Sequence, residues 1–267
     1  MRPLQEMELE ILSEIKFVLA DIDDTLTLNG RIPAAVYTAL EKLHDAGLTL
    51  VPITGRPAGW CDHIARMWPV DGIVGENGAF YFCYCAEQHK MIRRYWKSKT
   101  ERQQDRDRLS ALSNEILAAV PEAKVAADQS YRETDLAIDI CEDVPPLPVA
   151  KVDKIMEIFT VTGASAKVSS IHVNGWFGGY DKLSMTRNLF LEIFNQDLEA
   201  VKEQVVFIGD SPNDMPMFDY FPNAVGVANV MQYLDQLSAK PAWITKQAGG
   251  LGFIELAEAI LSAKLSI

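Results

Sequence analysis

The sequence predicts an α/β protein in which a parallel sheet carries helices on both faces and a smaller α+β segment interrupts the chain. Three observations predict this: short apolar runs closed by polar or glycine residues, helical patterns between those runs, and a middle segment of different character. The 267 residues are enough for one large domain or two smaller ones with a sizeable core.

Five short apolar runs are typical of buried parallel strands. In chain order they read FVLADID, LTLVPITGR, GIVGENG, VVFIGDS and NAVGVAN. Helical patterns occur in PAAVYTALEKLHDAG, KLSMTRNLFLEIFN and GLGFIELAEAILSAKL, and the first has Pro33 near its start and Gly47 just past its end. This alternation predicts a parallel-sheet core formed by residues 1–82 and 178–267.

The middle of the chain, residues 83–177, has a different pattern. Two helix candidates, DRDRLSALSNEILAAV and KVDKIMEIFTVTG, are accompanied by strand-like pieces such as ETDLAIDICE and AKVSSIHVNG, and DVPPLPVAK has the composition of a loop. We therefore expect an α+β domain that is continuous in sequence and splits the core in two.

Composition excludes several classes of function. The formal net charge is −12 and no Lys/Arg block offsets it, which argues against nucleic-acid and membrane partners. The four cysteines have no metal-ligand spacing with the four histidines, so free thiols in a reducing compartment are expected. The acidic N-terminal segment is not a signal peptide, and no apolar run has transmembrane length. A cytoplasmic monomer or homodimer is expected.

Acidic residues follow the first predicted strand, in KFVLADIDDTLT. Asp21, Asp23 and Asp24 are either a solvated turn or neighbours of a cation, because like charges this close repel each other. Thr54-Gly55-Arg56 follows the second strand, and Asp210 follows a late one. Since open parallel sheets bind ligands at the carboxyl ends of their strands, we expect these side chains to meet at one edge.

These motifs resemble those of the haloacid dehalogenase-like superfamily of phosphohydrolases. DIDDT is similar to its first motif, ITGR to the second, Lys182 in GGYDKL to the third and GDSPNDMPMF to the fourth. The resemblance spans the predicted core, and residues 83–177 lie where a type IIB cap belongs, as in Cof-like and sugar-phosphate phosphatases. It implies a Rossmann-like core with an α+β cap that closes over the strand ends.

The resemblance also implies roles for the acids. Asp21 would be the nucleophile that forms an aspartyl-phosphate, and Asp23 the general acid and then the general base. Mg²⁺ would be held by the Asp21 carboxylate, the Asp23 backbone carbonyl and Asp210, with support from Asp214. Asp24 has no implied role, and we expect it to be a structural turn residue.

The remaining motif residues are expected around the phosphoryl group. Thr54 would donate a hydrogen bond to it and Lys182 would offset its charge, although in isolation the first could cap a helix and the second be a surface residue. Asn213 would orient the phosphate or the lysine. Gly55 and Arg56 are further substrate-binding candidates, and Arg56 could instead pair with Asp214 or cap a helix. Asn77 in GENGA could contact substrate or form a turn.

Few residues of the insert can be assigned from the sequence. Arg132 and Lys167 could meet a distal anionic group of the substrate, but surface charges are the favoured interpretation. Trp176, Phe177 and Tyr180 are expected to pack rather than stack on substrate. The glycines Gly175, Gly178 and Gly179 are expected to form a hinge.

The favoured function is a Mg²⁺-dependent phosphatase of small phosphorylated metabolites, with sugar or polyol phosphates as the expected substrates. A phosphosugar mutase of the same superfamily would use the same core motifs and stays open as an alternative. A non-catalytic metabolite-binding regulator is disfavoured, because the acid/base and metal sets are intact.

Overall fold

The computed structural model describes residues 1–265 and confirms the predicted fold class. In chain order the helices and strands are β1 (Arg2–Pro3), α1 (Leu9–Glu14), β2 (Phe17–Ala20), α2 (Ala34–Asp45), β3 (Thr49–Pro52), α3 (Ala58–Met67), β4 (Ile73–Gly75), β5 (Phe80–Cys85), β6 (Lys90–Tyr95), α4 (Lys99–Ala119), β7 (Lys124–Val125), β8 (Leu136–Asp139), α5 (Val149–Val161), β9 (Ser165–Val168), β10 (His172–Trp176), α6 (Lys182–Glu192), α7 (Leu198–Val201), β11 (Val205–Gly209), α8 (Met215–Tyr220), β12 (Asn223–Gly226), β13 (Trp243–Ile244) and α9 (Gly249–Leu265).

The core is a six-stranded sheet in the order β1-β13-β12-β11-β2-β3, and every pairing in it is parallel. Leu19 of β2 pairs with Phe207 of β11 on one side and with Val51 of β3 on the other. Alternate residues of these strands belong to two separate buried clusters, one on each face. Because both faces are buried, the central strands are continuous apolar runs in the sequence.

A three-stranded antiparallel sheet, β4-β5-β6, extends the core beyond β3. Val74 of β4 forms a parallel bridge with Ile53, and the rings of Phe80 and Phe82 on β5 stack in the core cluster with centroids 4.4 Å apart. The insert boundary expected at residue 83 therefore falls inside β5. A half-buried hairpin has the same alternating pattern in the core and in the insert, so the sequence alone does not locate this boundary.

The insert has its own sheet, β7-β8-β10-β9, which is antiparallel throughout. Helices α4 and α5 are the two that the sequence predicted, and they share a hydrophobic cluster with one face of this sheet. Ser98 and Glu101 form a capping box that starts α4. The division into a catalytic core and a cap domain stays a prediction.

The insert contacts the core at the carboxyl ends of the core strands. Arg132 Nη1 donates to the carbonyl of Gly55, three residues after β3 ends, at 2.8 Å. At the return to the core, Trp176 and Tyr180 are buried and stacked with centroids 5.7 Å apart, which confirms packing over substrate stacking. A Cβ on Gly175 would lie 2.1 Å from the Phe159 ring, so close packing explains this glycine.

Two negative findings concern the described residues. Across residues 1–265, no helix combines the length and apolar character that crossing a membrane requires. All four cysteines are free thiols, and Cys61 and Cys83 are buried.

Candidate active site

Asp21 continues β2 at the carboxyl edge of the sheet. Its backbone N–H donates to the carbonyl of Ile208 in β11 at 2.9 Å, which extends the ladder by one residue. The residue is only 4% exposed. Burial raises the pKa of Asp21 to about 7, and nearby Asp214 and Asp23 also raise it, while Lys182 lowers it. A buried carboxylate of this kind needs a cation beside it.

Lys182 supplies one positive charge. It is the first residue of α6, whose N-cap Asp181 forms a capping box with Ser184. Its Nζ donates to Asp21 Oδ1 at 2.9 Å and to Asp214 Oδ1 at 2.7 Å. Burial lowers the pKa of Lys182, but the two carboxylates outweigh burial and hold it above its usual range. Lys182 is therefore a buried, charged bridge and not a surface residue.

Asp210 and Asp214 lie on the loop after β11. Asp210 accepts from Thr25 Oγ1 at 3.1 Å and from Asn229 Nδ2 at 3.3 Å. Asp214 Oδ2 accepts the backbone N–H of Asp210 at 3.0 Å. A Cβ on Gly209 would lie 2.4 Å from that same oxygen, which explains the glycine of the GDSPND motif. Burial, then Asp21 and Asp214, raise the pKa of Asp210 well above its usual value.

These residues fit a divalent cation. One carboxylate oxygen from each of Asp21, Asp210 and Asp214 lies within 4.8 Å of the others, and all three side chains are buried. Three carboxylates face a single ammonium, and hard divalent cations take such oxygen ligands. Asp214 already accepts from Lys182 with one oxygen and from backbone N–H groups with the other, which suits a supporting role. Coordination by the Asp23 carbonyl stays a prediction.

Thr54 and Gly55 follow β3 at the same edge. Thr54 is fully buried, and its Oγ1 accepts the backbone N–H of Arg56 at 3.0 Å. This leaves the hydroxyl proton available for a phosphoryl oxygen. The next helix, α3, has Pro57 at its N-cap without any side-chain cap, so the helix-capping alternative for Thr54 is wrong. A Cβ on Gly55 would lie 3.1 Å from Asn77 Nδ2.

The two structural alternatives expected for Arg56 are wrong, because it neither pairs with Asp214 nor caps a helix. Its guanidinium forks onto Asp23, with Nε 2.9 Å from Oδ2 and Nη2 2.8 Å from Oδ1. The same Nη2 donates to Glu142 Oε1 of the insert at 2.7 Å, and Nη1 lies 3.4 Å from Asp128 Oδ2. Such bidentate pairs fix orientation. Arg56 therefore holds Asp23 in place and ties it to the insert.

Asn77 and Asn213 join the two sides of the site. Asn213 Nδ2 donates to Asn77 Oδ1 at 3.3 Å, and Asn213 Oδ1 accepts from Ser211 Oγ at 2.9 Å. Asn77 has φ 55°, a left-handed conformation that asparagine tolerates, so the turn interpretation describes its backbone. Its buried Nδ2 has no hydrogen-bond partner among residues 1–265. Asp24, also at φ 55°, is the expected turn residue, and its carbonyl accepts from Asn229.

The sequence missed most of the insert side of the site. The cleft is lined by Asp21, Asp23, Gly55, Arg56, Ser169, Ile171, His172, Asn174 and Asn213. Four of these come from the insert. His172 is buried, with Nε2 2.9 Å from Glu142 Oε2, so Glu142 lies between a histidine and Arg56. Nothing local marks these residues, since they lie about 90 or more positions from Asp23 and Arg56 in the chain.

The expectation that Arg132 is a surface charge is wrong. Its side chain is 0% exposed. Nε donates to Asp128 at 3.0 Å and Nη1 to Asp135 at 3.1 Å, in addition to the Gly55 carbonyl. The residue therefore fixes the backbone that separates Thr54 from Arg56.

Glu76 is a further residue that the sequence analysis did not single out. Its buried carboxylate accepts backbone N–H groups from the core and from the insert: Ala58 at 2.9 Å, Glu133 at 2.9 Å and Thr134 at 2.7 Å. The only signal is a charged residue within the largely apolar stretch GIVGENGAFYF. Through these hydrogen bonds, Glu76 connects the insert to the core beside the cleft.

Comparison with known proteins agrees with this geometry. The family of haloacid dehalogenase-like hydrolases matches residues 18–104 and 178–249, which is more than half of the chain. A phosphoglycolate phosphatase of Methanoculleus marisnigri is 25% identical over 256 residues, covering 90% of this chain and 94% of that protein.

Two solved structures show the same fold. Thermoplasma acidophilum 0175 superposes with a TM-score of 0.70 at 17% identity, covering 92% of this chain and 98% of that one. The sucrose-phosphatase of Synechocystis, solved with sucrose and phosphate, has a TM-score of 0.60 at 17% identity and covers 91% and 97%. The motif residues meet at one edge of the sheet, and an antiparallel α+β insert lies between the second and third motifs. The chain belongs to the family of haloacid dehalogenase-like hydrolases.

Proposed function

We propose that this phosphoric monoester hydrolase is a Mg²⁺-dependent phosphatase of small phosphorylated metabolites, acting through an aspartyl-phosphate on Asp21. The observation that carries the proposal is the buried arrangement of Asp21, Lys182, Asp210 and Asp214 next to Asp23, at the base of one cleft. A nucleophile, a charge-neutralising group and a general acid are thereby available to one phosphoryl group.

In the first half-reaction, the Asp21 carboxylate attacks phosphorus while the bond to the leaving oxygen breaks. Asp23 gives its proton to that oxygen, and Lys182 and Thr54 bind the phosphoryl oxygens. Bound Mg²⁺, held by Asp21, the Asp23 carbonyl and Asp210, would neutralise phosphoryl charge and align the ester with the nucleophile. The fork from Arg56 fixes the direction of the Asp23 carboxylate.

In the second half-reaction, Asp23 takes a proton from water as that water attacks the phosphorus of the aspartyl-phosphate. The bond between phosphorus and Asp21 breaks, so inorganic phosphate leaves and the free Asp21 carboxylate returns. Ile171 and His172 of the insert cover the cleft, and this cover limits the access of bulk water to the acyl phosphate. Every proton in the cycle passes through Asp23.

Two of the relatives bear on the class of substrate. Sugar and polyol phosphates, the expected substrates, agree with the sucrose-phosphatase likeness, and the curated relative is a phosphoglycolate phosphatase. Both likenesses support a phosphorylated small metabolite, and neither relative's own substrate is assigned to this chain.

The test is a release assay for inorganic phosphate with Mg²⁺ against phosphorylated sugars, polyols, nucleotides and phosphoglycolate. The proposal expects phosphate from at least one small ester, without any bisphosphate activator, and none in the presence of a chelator. A phosphosugar mutase would instead convert one sugar phosphate into its isomer and require the activator. No turnover of any ester, or undiminished turnover in the chelator, would overturn the proposal.

A further inference from the structure

Asp23 depends on Arg56 for its orientation, so the contacts that hold Arg56 bear on the acid step. Nε of Arg56 lies 2.9 Å from Asp23 Oδ2, and Nη2 lies 2.8 Å from Asp23 Oδ1. An arginine side chain is long and flexible, and it stays in one place only when further contacts fix it. Beyond Asp23, the guanidinium lies 4.3 Å from the centre of the Trp60 ring and contacts two carboxylates of the insert, Glu142 and Asp128.

Glu142 makes the shorter of the two contacts from the insert. Its Oε1 accepts from Arg56 Nη2 at 2.7 Å, whereas Asp128 Oδ2 lies 3.4 Å from Nη1. Asp128 is also shared with Arg132, whose Nε donates to its Oδ1 at 3.0 Å. Because a guanidinium is planar and its donors have fixed directions, the carboxylates of Asp23 and Glu142 on one nitrogen fix the plane of the group. Glu142 is thus the main support that the insert gives to Arg56.

The carboxylate of Glu142 is itself held at both oxygens. Oε2 lies 2.9 Å from Nε2 of His172, a buried residue of β10 that lines the cleft. The backbone is fixed as well, because Asp139 at the end of β8 accepts the N–H of Glu142 at 2.8 Å and those of the residues on either side of it. Asp139 and His172 are paired in the register of β8 and β10, so the sheet of the insert sets the position of Glu142.

Glu142 carries its charge throughout the neutral pH range. The contacts with His172 and Arg56 outweigh burial and lower the pKa of Glu142 to about 2. A charged acceptor makes a shorter and stronger hydrogen bond to a guanidinium than a neutral one does. The side chain is still 31% exposed, so solvent weakens what the ion pair adds to the stability of the fold. We therefore expect the contact to matter for geometry more than for folding.

We propose that Glu142 is a positioning residue for general-acid catalysis: it holds Arg56, and through Arg56 it holds the carboxyl group of Asp23 against the leaving oxygen of the ester. Glu142 acts through these two residues and not by contact with the substrate. The inference rests on the proposed phosphatase function. It adds that the acid step depends on the insert, although Asp23 and Arg56 both belong to the core.

The loss of Glu142 should fall on substrates that need the acid. The probes are ethyl phosphate, glycerol 3-phosphate, glucose 6-phosphate and 2-phosphoglycolate as alkyl esters, and p-nitrophenyl phosphate, whose leaving group needs little protonation. With Mg²⁺, Glu142→Ala should lower kcat/KM about 10-fold for the alkyl ester that the wild-type protein hydrolyses fastest, and less than about twofold for p-nitrophenyl phosphate. Glu142→Gln should keep most of the activity, because its amide oxygen still accepts from Arg56.

A double-mutant cycle separates positioning from a purely structural role. Because Glu142 acts through Asp23, Asp23→Asn/Glu142→Ala should be about as slow on the alkyl ester as Asp23→Asn alone. Asp143→Ala is the matched control, since it removes a neighbouring exposed acid from the same loop. Within residues 1–265 the Asp143 side chain makes no hydrogen bond or ion pair. This control should leave both kinds of ester unaffected.

Several outcomes would overturn this inference and leave the phosphatase function standing. They are equal losses of Glu142→Ala on alkyl esters and p-nitrophenyl phosphate, losses that multiply in the double variant, and no loss on any ester. Cleavage of p-nitrophenyl phosphate without turnover of any of the alkyl esters would also overturn it, because no acid step would then operate. If the wild-type protein hydrolyses neither kind of ester, the proposed phosphatase function itself fails.

Discussion

Lys182 neutralises part of a buried cluster of three carboxylates, so replacing it by methionine tests the electrostatics of the site. Methionine fills a similar volume but removes both contacts of Nζ, 2.9 Å to Asp21 and 2.7 Å to Asp214. Breaking a buried ion pair by removing one partner typically costs about 3–5 kcal/mol, because a charge is left buried without compensation. We expect a loss of that size in the free energy of unfolding at pH 8 without metal.

The loss should depend on pH in a defined direction. Burial already raises the pKa of Asp21 to about 7, and removal of the lysine raises it further. An acid with a raised pKa in the folded state stabilises the protein at low pH and loses that contribution as pH rises through the folded pKa. Lys182→Met should therefore be much less destabilised at pH 5 than at pH 8.

Urea unfolding at both pH values, in EDTA, measures this. Lys124→Met serves as the control for loss of a lysine, and Lys182→Met/Asp214→Asn should recover part of the loss at pH 8. Asparagine removes one orphaned charge but keeps an oxygen for the N–H groups of Asp210 and Ser211. A loss below about 1 kcal/mol, or equal losses at pH 5 and pH 8, would refute the reasoning.

Three further outcomes are expected. Asp23→Asn should slow the hydrolysis of alkyl phosphates by ~10²–10⁴-fold, but that of p-nitrophenyl phosphate much less, because the p-nitrophenolate leaving group needs little protonation. Steady-state kinetics on both esters check this, and equal losses would count against the role of Asp23 as an acid. Mg²⁺ should raise the melting temperature more at pH 8 than at pH 5.5, because at the lower pH it must displace protons from Asp21 and Asp210, whose pKa values are raised. In thermal scans Asp21→Asn should show a smaller difference between the two pH values, and an undiminished difference would count against the role of Asp21. Glu76→Ala should lower the free energy of unfolding by about 2 kcal/mol or more, because it leaves the N–H groups of Ala58, Glu133 and Thr134 without a hydrogen-bond acceptor. A urea midpoint equal to that of the wild-type protein would contradict this.

The core of the site could be predicted from the sequence for a physical reason. Asp21, Thr54 and Asp210 each follow a parallel strand, and the carboxyl ends of parallel strands share one edge of the sheet. Their proximity follows from topology alone. Lys182 is different, since only its place in the ordered motif set distinguished it from a surface lysine, and the structure shows it fully buried.

The contacts between core and insert could not be predicted in this way. Arg56 meets Glu142, which is 86 positions away in the chain, and Glu76 meets Thr134, which is 58 positions away. No local periodicity encodes which loop of one domain faces which loop of the other. Arg132 illustrates the consequence: an arginine on a polar loop looks exposed in sequence, yet three partners bury it completely.

The central claim is that Asp21 forms a covalent bond to phosphorus, and trapping that intermediate tests it most directly. Asp23→Asn should slow the hydrolysis of the aspartyl-phosphate. Mixing this variant with Mg²⁺ and ³²P-acetyl phosphate, an acyl phosphate with a good leaving group, and quenching in acid should therefore retain label on the protein. We expect the label on the peptide that contains Asp21, its release by hydroxylamine as for an acyl phosphate, and no label in Asp21→Asn. Label on another residue, or turnover by the wild-type protein with no covalent phosphate in any variant, would contradict the account.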